Sequence, residues 1–580
     1  MQSNYDKNPI VEIKGISNCA WQGYADIIGE IKSRIGKSEK TVVVLDCYHG
    51  VYQDEILNAF KNGLNPDTLI DVADANLSNA EIEAMLQRNI TEDRVFGVLS
   101  HHMITEFFDD EKLAALGREI ENAKGVVLVY GTGAALAAEA DILIYADLVR
   151  WEIQQRFRSN TIGNWCTDNA NEETLRKYKR AFFIDWRVID RHKKKLMDKI
   201  DYLLDTNKKD NPKMLTGEAF REGLRQTAEQ PFRVVPYFDP GVWGGQWMKK
   251  VCGLDPEKEN FAWCFDGVPE ENSLLLSSGG IVIEVPAINA VFYRPVQLLG
   301  DKVHARFGTE FPIRFDFLDT MEGGNLSLQV HPLTEYIQEH FGMHYTQDES
   351  YYILDAKEDA TVYLGIRDGV DKEDFEQALR ESTETGSFDA ECYINKFPAK
   401  KHDHFLIPAG TTHCSGSNAM VLEISATPYI FTFKLWDWGR LGLDGRPRPI
   451  HLEHGMENIQ FDRRTEWVRE NLINCVTEIE SGDGFVEERT GLHEREFIET
   501  RRHWFTKPVE HDTNGGVNML NLIEGEEAVI TSPENRFAPF ILHYAETCII
   551  PAAVGKYTIS PYGKSAGKKL ATIKAYVRVV

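Results

Sequence analysis

The chain has 580 residues, of which 42% are hydrophobic and 27% charged, a composition typical of a globular protein with several domains. Its net charge of −26 argues against nucleic acids and anionic membranes as partners. The sequence has no apolar run long enough to span a bilayer and no basic start followed by an apolar run, so we expect neither a membrane protein nor a secreted one. Nine scattered cysteines without a CxxC pair favour reduced thiols and a cytoplasmic location.

The first 210 residues alternate apolar runs with amphipathic segments. We predict strands within 41–50, 94–102, 125–133, 141–148 and 181–188, and helices within 78–89 and 109–123. Continuous Val, Ile and Leu runs suit parallel strands that are covered on both faces. The alternation therefore predicts an α/β domain with a parallel sheet over residues 1–210.

This region lacks the usual nucleotide motifs. It has no GxxxxGK[ST] sequence, and YGTG at 130–133 lacks the third glycine of a dinucleotide fingerprint. A basic run would suit a phosphorylated ligand, but a solvated helix face is the simpler interpretation. The run comprises Arg187, Arg191, His192, Lys193, Lys194 and Lys195. The segments 141–160 and 184–207 loosely resemble small P-loop kinases of the uridine kinase type, in a form that has lost the phosphate loop.

The pattern changes after the polar segment 205–214, which we predict to be a linker. From residue 231 onward, short strand-like runs are separated by Gly, Pro and Asn, as is typical of antiparallel β-barrels. Such runs occur at 280–285, 325–330, 361–366 and 421–426, and later at 517–530 and 540–559. We predict one β domain over 231–460 and a second, smaller β-barrel over 461–580.

Four side chains in the first β domain could hold a divalent metal ion. Gln329 and His331 are two residues apart on a predicted strand and therefore point to the same face. Glu349 begins another strand, and His413 follows a Pro-Ala-Gly turn. Two imidazoles, a carboxylate and an amide oxygen form a plausible Zn²⁺ ligand set with room for water or substrate. An ion there would act as a Lewis acid on a sugar carbonyl.

Seven sequence blocks occur together in this region. They are DPGVWGGQWMKKVCG (239–253), ENFAWCFDG (259–267), NLSLQVHP (325–332), DESYYIL (348–354), IPAGTTHCSG (407–416), VLEISATPYIFTFKLWDWGR (421–440) and GRPRPIHLEH (445–454). In combination they resemble the class I mannose-6-phosphate isomerase family over residues 231–460. The resemblance implies a cupin fold, a double-stranded β-helix, and one zinc ion per chain. It also implies that Gln329, His331, Glu349 and His413 bind that zinc.

The family's reaction interconverts mannose 6-phosphate and fructose 6-phosphate by moving a proton between C2 and C1 through an enediol. The sequence departs from the family at two positions that handle substrate. Gln347 stands where many members have a lysine, and Lys434 stands where they have an arginine. Lys434 keeps the positive charge without the planar fork that grips oxyanions at two points. The zinc ligands are therefore retained, whereas the residues that contact substrate have changed.

We predict four residues that act on the substrate. Lys434 and Arg440 would handle negative charge, and His344 or Glu423 would move the proton. The resulting hypothesis is a zinc-dependent isomerase of mannose 6-phosphate or a related sugar, with a sugar or sugar phosphate as its partner. A non-catalytic sugar-binding or sensing protein with a regulatory α/β domain is the alternative, favoured by the change at Gln347. The metal identity and the oligomeric state stay open at this point.

Overall fold

The computed structural model describes residues 3–36, 39–442, 445–446, 448–491, 493 and 496–578. The chain forms two compact units, each described by itself below. The α/β unit contains Ile10–Thr227 and Ser273–Tyr293, and the β unit contains Met1–Pro9, Ala228–Asn272 and Arg294–Val580. No helix within the described residues is long and apolar enough to cross a membrane.

A seven-stranded sheet forms the centre of the α/β unit. Its spatial order is Ala20–Gln22, Lys213–Thr216, Tyr202–Asp205, Ile142–Asp147, Lys40–Cys47, Gly125–Gly131 and Thr68–Asp71. The last five of these strands pair in parallel, and the first two pair antiparallel at one edge. Helices cover the sheet, so its central valines and leucines are fully buried. Asp46 and Asp147 lie at the carboxyl ends of two neighbouring parallel strands.

Most α-helices of this unit lie between its strands along the chain. They are Tyr24–Arg34, Gln53–Leu64, Asn79–Ile90, Asp110–Asn122, Arg150–Arg158, Thr174–Arg180, Trp186–Leu196, Gly217–Thr227 and Ile288–Tyr293. A separate sheet contains Ile10–Glu12, Ser273–Ser278 and Ile281–Pro286. The segment predicted as a linker runs between two paired strands of the main sheet, Tyr202–Asp205 and Lys213–Thr216, and is therefore a connection within that sheet.

Two strand predictions in this unit are wrong. Residues 94–102 contain no strand, and residues 181–188 are helical: a π-helical segment, Ala181–Asp185, continues into the helix Trp186–Leu196. The apolar run AFFIDW is buried on all sides, and a short apolar run of a buried helix looks like a buried strand in the sequence. The basic run is also less solvated than expected, because Arg187, His192 and Lys193 are buried.

The first part of the β unit contains two antiparallel sheets. One has the order His404–Ile407, Asp348–Ala356, Ala419–Ala426, Ile313–Asp319, Trp263–Gly267 and Tyr237–Asp239. The other has the order Ile394–Pro398, Thr361–Ile366, His413–Ser415, Leu328–Val330 and Phe433–Trp436. Their helices are Trp247–Val251, Pro295–Leu299, Asp301–Phe307, Thr334–Phe341, Lys372–Thr385, Ala390–Tyr393, Leu452–Asn458 and Thr465–Asn471.

Two further antiparallel sheets follow, which we call the C-terminal sheet pair. The larger has the order Thr477–Gly482, Phe485–Gly491, Ile498–Phe505, Leu570–Val577, Asn518–Glu524 and Thr547–Ile550. The smaller has the order Val509–Asp512, Lys556–Pro561, Glu527–Thr531 and Phe540–His543. One apolar cluster draws residues from both, among them Leu520, Leu522 and Ile559, so the two sheets share a core.

Candidate metal centre

Three of the predicted metal ligands form a tight, buried cluster. The ligand atoms of His331, Glu349 and His413 all lie within 4.8 Å of one another, and the described residues contain no other such group. His331 Nε2 is 3.1 Å from one Glu349 carboxylate oxygen, and His413 Nε2 is 2.8 Å from the other. The Gln329 amide joins them, with its nitrogen 3.2 Å from His413 Nε2. The structure thus brings together all four residues that the sequence analysis named.

Strand register explains this convergence. Gln329 and His413 lie directly opposite each other in the five-stranded sheet, so their side chains share a face. His331 directly follows the strand Leu328–Val330 and keeps the same alternation. Glu349 comes from the six-stranded sheet, where it is paired with Ser425 and Ile407. Two sheets therefore supply the ligands from opposite sides.

The hydrogen bonds around the two histidines prepare them for a metal ion. His331 Nδ1 is 2.8 Å from the Phe431 carbonyl oxygen, and His413 Nδ1 is 2.8 Å from that of Thr411. A carbonyl oxygen only accepts, so each Nδ1 carries the proton and each Nε2 presents its lone pair. His331 Nε2 and Glu349 Oε1 also lack a hydrogen-bond partner within the described residues, despite being buried. Buried nitrogen and oxygen atoms with free lone pairs and no hydrogen-bond partner are suited to coordinate a divalent ion.

Gln347 ties the ligand Glu349 to a second buried carboxyl group. Its Nε2 donates to Glu349 Oε2 at 2.9 Å and to Glu423 Oε1 at 3.2 Å, while its Oε1 accepts from the Phe431 amide at 2.9 Å. Burial, together with the nearby charges of Glu349 and Asp316, raises the pKa of Glu423 well above its usual range. This environment disfavours the ionised form of Glu423.

Lys434 and Arg440 lie in a basic group beside the same sheet. Lys434 is directly opposite Gln329 in the strand register, so it points to the face that carries the cluster. Burial and the cations Arg448 and Arg440 lower the pKa of Lys434 to about 7, although Asp437 opposes this. Arg440 and Arg448 both pair with the Asp437 carboxylate, Arg448 at 2.7 Å.

His344 is the one predicted residue that the structure leaves outside this buried group. Its side chain is 54% exposed and lies 3.7 Å from Glu310, which raises the pKa of the imidazole. In contrast, Tyr351 and Asp316 were missed by the sequence analysis although both face Glu423 across the six-stranded sheet. Tyr351 could have been found, because it lies two residues after Glu349 on the same strand.

Comparisons with known proteins give one family model and several curated relatives. Residues 23–229 match a family described as a domain of unknown function, DUF8485, which gives no support to a kinase resemblance. The mannose-6-phosphate isomerase ManA of Bacillus subtilis is 31% identical over 231 residues, which are 40% of this chain and 68% of that protein. The mannose-6-phosphate isomerase of Streptococcus mutans is 28% identical over 218 residues, 37% of this chain.

These relatives are matched over part of their length. The chain covers 63% of the Streptococcus mutans enzyme, slightly less than two thirds. A solved structure of mannose 6-phosphate isomerase from Bacillus subtilis is 19% identical, covers 60% of this chain and 100% of its own, and has a TM-score of 0.48. On the strength of the similarity to ManA, this chain belongs, through part of its length, to the mannose-6-phosphate isomerase family.

Proposed function

We propose that the chain is a metal-dependent aldose–ketose isomerase that acts on mannose 6-phosphate or a related sugar. The observation that carries this proposal is the convergence of two imidazole lone pairs and a carboxylate on one point, with no lysine or arginine among them to neutralise the charge. Gln329, His331, Glu349 and His413 would hold zinc, which when bound polarises a sugar carbonyl and its neighbouring hydroxyl.

The residues around the cluster have separate tasks in this proposal. Glu423 would hold and transfer the proton that moves between C2 and C1, because it is buried next to the cluster and hydrogen-bonded to Gln347. His344, half exposed and paired with Glu310, is a weaker candidate for that role. Lys434 and Arg440 would stabilise the negative charge of substrate and enediolate, with Arg448 beside them.

The test of the activity is a coupled assay of the purified, zinc-loaded full chain. Mannose 6-phosphate is supplied and the formation of fructose 6-phosphate is recorded, with mannose as a second substrate. Turnover of the phosphorylated sugar supports the proposal as stated, and turnover of mannose alone moves it to an unphosphorylated aldose. Absence of turnover with both sugars, in protein that contains one zinc ion per chain, contradicts it.

A second proposal, a sugar-binding or sensing protein, is favoured by one observation. Gln347 occupies the position of the family's lysine, and an amide can neither accept nor donate a proton in catalysis. In that case the chain would bind mannose 6-phosphate at the zinc site without converting it. Calorimetric binding of the sugar, measured on protein that shows no turnover, separates this proposal from the first.

The metal site has its own test, which is independent of turnover. His331→Ala and His413→Ala each remove a nitrogen that faces the cluster, so we expect both variants to lose zinc when measured by elemental analysis. His340→Ala is the matched control, because that histidine is exposed on the helix Thr334–Phe341. Stoichiometric zinc in both test variants would mean that the ion is held elsewhere.

A further inference from the structure

The C-terminal sheet pair has a shared interior that is apolar at one end and polar at the other. The apolar end contains Phe505, Leu570, Val509 and Ile559, which belong to one buried cluster. The polar residues follow on the same strands and point into the same interior. The strand registers establish this, because residues directly opposite each other in an antiparallel sheet project to the same face.

Three successive rows cross the larger sheet. The first row contains His503, Thr572 and Leu522, the second Arg501, Lys574 and Leu520, and the third Glu499, Tyr576 and Asn518. Leu522 and Leu520 are members of the apolar cluster, so the first two rows face the interior directly. The third row lies two residues further along each strand and faces the same way.

The smaller sheet meets these rows with His511 and Tyr557, which are paired with each other in its register. Tyr557 Oη donates to Asn518 Oδ1 at 2.9 Å across the interior. The rings of His503 and His511 are edge to face, with centroids 4.5 Å apart. Lys574 Nζ lies 3.4 Å from His511 Nδ1. The two sheets therefore enclose two histidines and a lysine between them.

Most charged side chains in this interior pair with a neighbour of opposite charge. Arg501 pairs with Glu487 at 2.8 Å and with Glu499 at 2.6 Å. His503 Nε2 is 3.1 Å from a Glu487 carboxylate oxygen, so Nε2–H donates a hydrogen bond to it. Lys574 differs from these side chains, because among the described residues it hydrogen-bonds to the neutral acceptor His511 and not to a carboxylate.

The two histidines leave complementary atoms without partners. Because His503 donates through Nε2, its Nδ1 is an acceptor, and this atom has no partner within the described residues. Because Lys574 donates to His511 Nδ1, His511 Nε2 carries a proton, and this donor also has no partner there. Both side chains are more than nine-tenths buried. Buried polar atoms are normally satisfied, so these two point to a missing ligand.

We propose that the polar end of the C-terminal sheet pair binds a small organic anion that also carries hydroxyl groups. A carboxylate or phosphate oxygen would accept from the Lys574 ammonium, and ligand hydroxyls would accept from His511 Nε2–H and donate to His503 Nδ1. Exposure increases along the rows: Lys574 is 7% exposed, whereas the side chains of Glu487 and Arg501 are 15% and 25% exposed. No part of this proposal depends on the proposed isomerase activity.

The protonation states agree with this arrangement. Burial lowers the pKa of His503, and burial together with His503 and Lys574 lowers that of His511 well below its usual range. Both imidazoles are therefore neutral near pH 7, each with one donor and one acceptor. A neutral pair leaves Lys574 as the cation that attracts the anion.

The test is calorimetric titration of the full chain with inorganic phosphate, acetate and gluconate. The protein carries His331→Ala and His413→Ala, so that the metal centre contributes no binding of its own. We expect saturable binding of phosphate or gluconate, with gluconate tighter than acetate because of its hydroxyls. Tighter binding of phosphate would indicate a phosphorylated ligand, and tighter binding of gluconate a carboxylate ligand. Both results support an anion site here.

Lys574→Met removes the ammonium but keeps the apolar stem. We expect it to weaken binding about tenfold or more, since a buried hydrogen bond to a charged group is lost. Lys569→Met is the control, because Lys569 is exposed and lies over the Trp504 ring outside this interior. Should Lys574→Met not fold, His511→Phe takes its place: it removes the Nε2–H donor, and unchanged gluconate affinity in that variant would overturn the proposal. Equal affinity of Lys574→Met or absence of saturable binding would overturn the proposal.

Discussion

Two regions of this protein bury several ionisable groups, and they do so in opposite ways. In the α/β unit, three buried carboxylates each lie beside a basic side chain. Asp147 pairs with Lys193, and Asp190 pairs with Arg150. Asp46 lies 2.8 Å from His192. Burying such groups is tolerable because the partner charge replaces the lost solvation.

The metal centre of the β unit has no such arrangement. Glu349 is flanked by His331 and His413, whose protons are directed outward to backbone carbonyls. Apart from the hydrogen bond from Gln347, its carboxylate thus faces imidazole lone pairs, a combination that is unfavourable until a cation enters. The comparison teaches that buried charge by itself does not mark a functional site. The useful signal is buried charge that the protein leaves uncompensated.

The largest effect is expected from Asp147→Asn in the α/β unit. This change leaves Lys193 buried without its counter-charge, which should cost about 3–5 kcal/mol of stability. Hydrogen exchange of the strand Ile142–Asp147, followed by mass spectrometry, would show the loss as faster exchange. Asp110→Asn is the control, because this residue is exposed in a first helical turn and should cost less than about 1 kcal/mol. Equal effects of the two changes would mean that Lys193 simply releases its proton.

The same chemical change at the metal centre should act on ligand affinity instead. Glu349→Gln removes the anionic ligand, and we expect zinc affinity to fall at least about 100-fold. Losing only a residue that hydrogen-bonds a metal ligand already costs up to about 100-fold, and losing the ligand itself should cost no less. Competition with a chromogenic chelator measures this. Because Glu349 has no lysine or arginine partner in the cluster, the metal-free variant should lose less stability than Asp147→Asn does. A larger loss there would contradict the comparison.

The contrast between the two regions also shows what the sequence could reveal. Gln329 and His331 were predictable as a pair because strand residues two apart share a face, and the family resemblance joined Glu349 and His413 to them. The burial of Lys193 was not predictable. Its run, RHKKK, has the composition of a solvated helix, and only the packing of that helix against the strand ends places two of its members inside. The local sequence pattern predicts the alternation of a strand, but it does not predict which polar residues will pair after folding.

In a third region, the C-terminal sheet pair, some buried charges are paired and others are not. The pH dependence of stability tests the buried lysine of this region. Burial lowers the pKa of Lys574 to about 8, against an unfolded value of about 10.4. Between these values the unfolded state binds more protons, so stability should rise with pH, by about 1–3 kcal/mol in all. Below about pH 8 both states are protonated and this contribution is constant.

Seven ionisable groups face Lys574, namely Glu487, Glu499, Arg501, His503, His511, Asp512 and Tyr576. The carboxylates and Arg501 do not titrate between pH 8 and 10.4, and the histidines are neutral there. Burial and Glu499 raise the pKa of Tyr576 in the folded state, and this tyrosine is present in both proteins compared below. Lys574→Met should therefore flatten the dependence of urea unfolding on pH in this range. A rise that persists in the variant would assign it to another group.

The smallest effect on metal binding is expected from Gln347→Lys, which restores the family's residue beside the cluster. Gln347 donates to Glu349 and Glu423 through one nitrogen, and a lysine ammonium can donate to both as well. Zinc affinity should therefore change by less than about tenfold, the lower end for a residue that hydrogen-bonds a metal ligand. The added cation would favour ionised Glu423 and supply a group able to exchange protons, so turnover of mannose 6-phosphate should increase. Unchanged turnover in zinc-loaded Gln347→Lys would show that this amide does not limit the reaction, and loss of zinc would show that it supports the metal ligand instead.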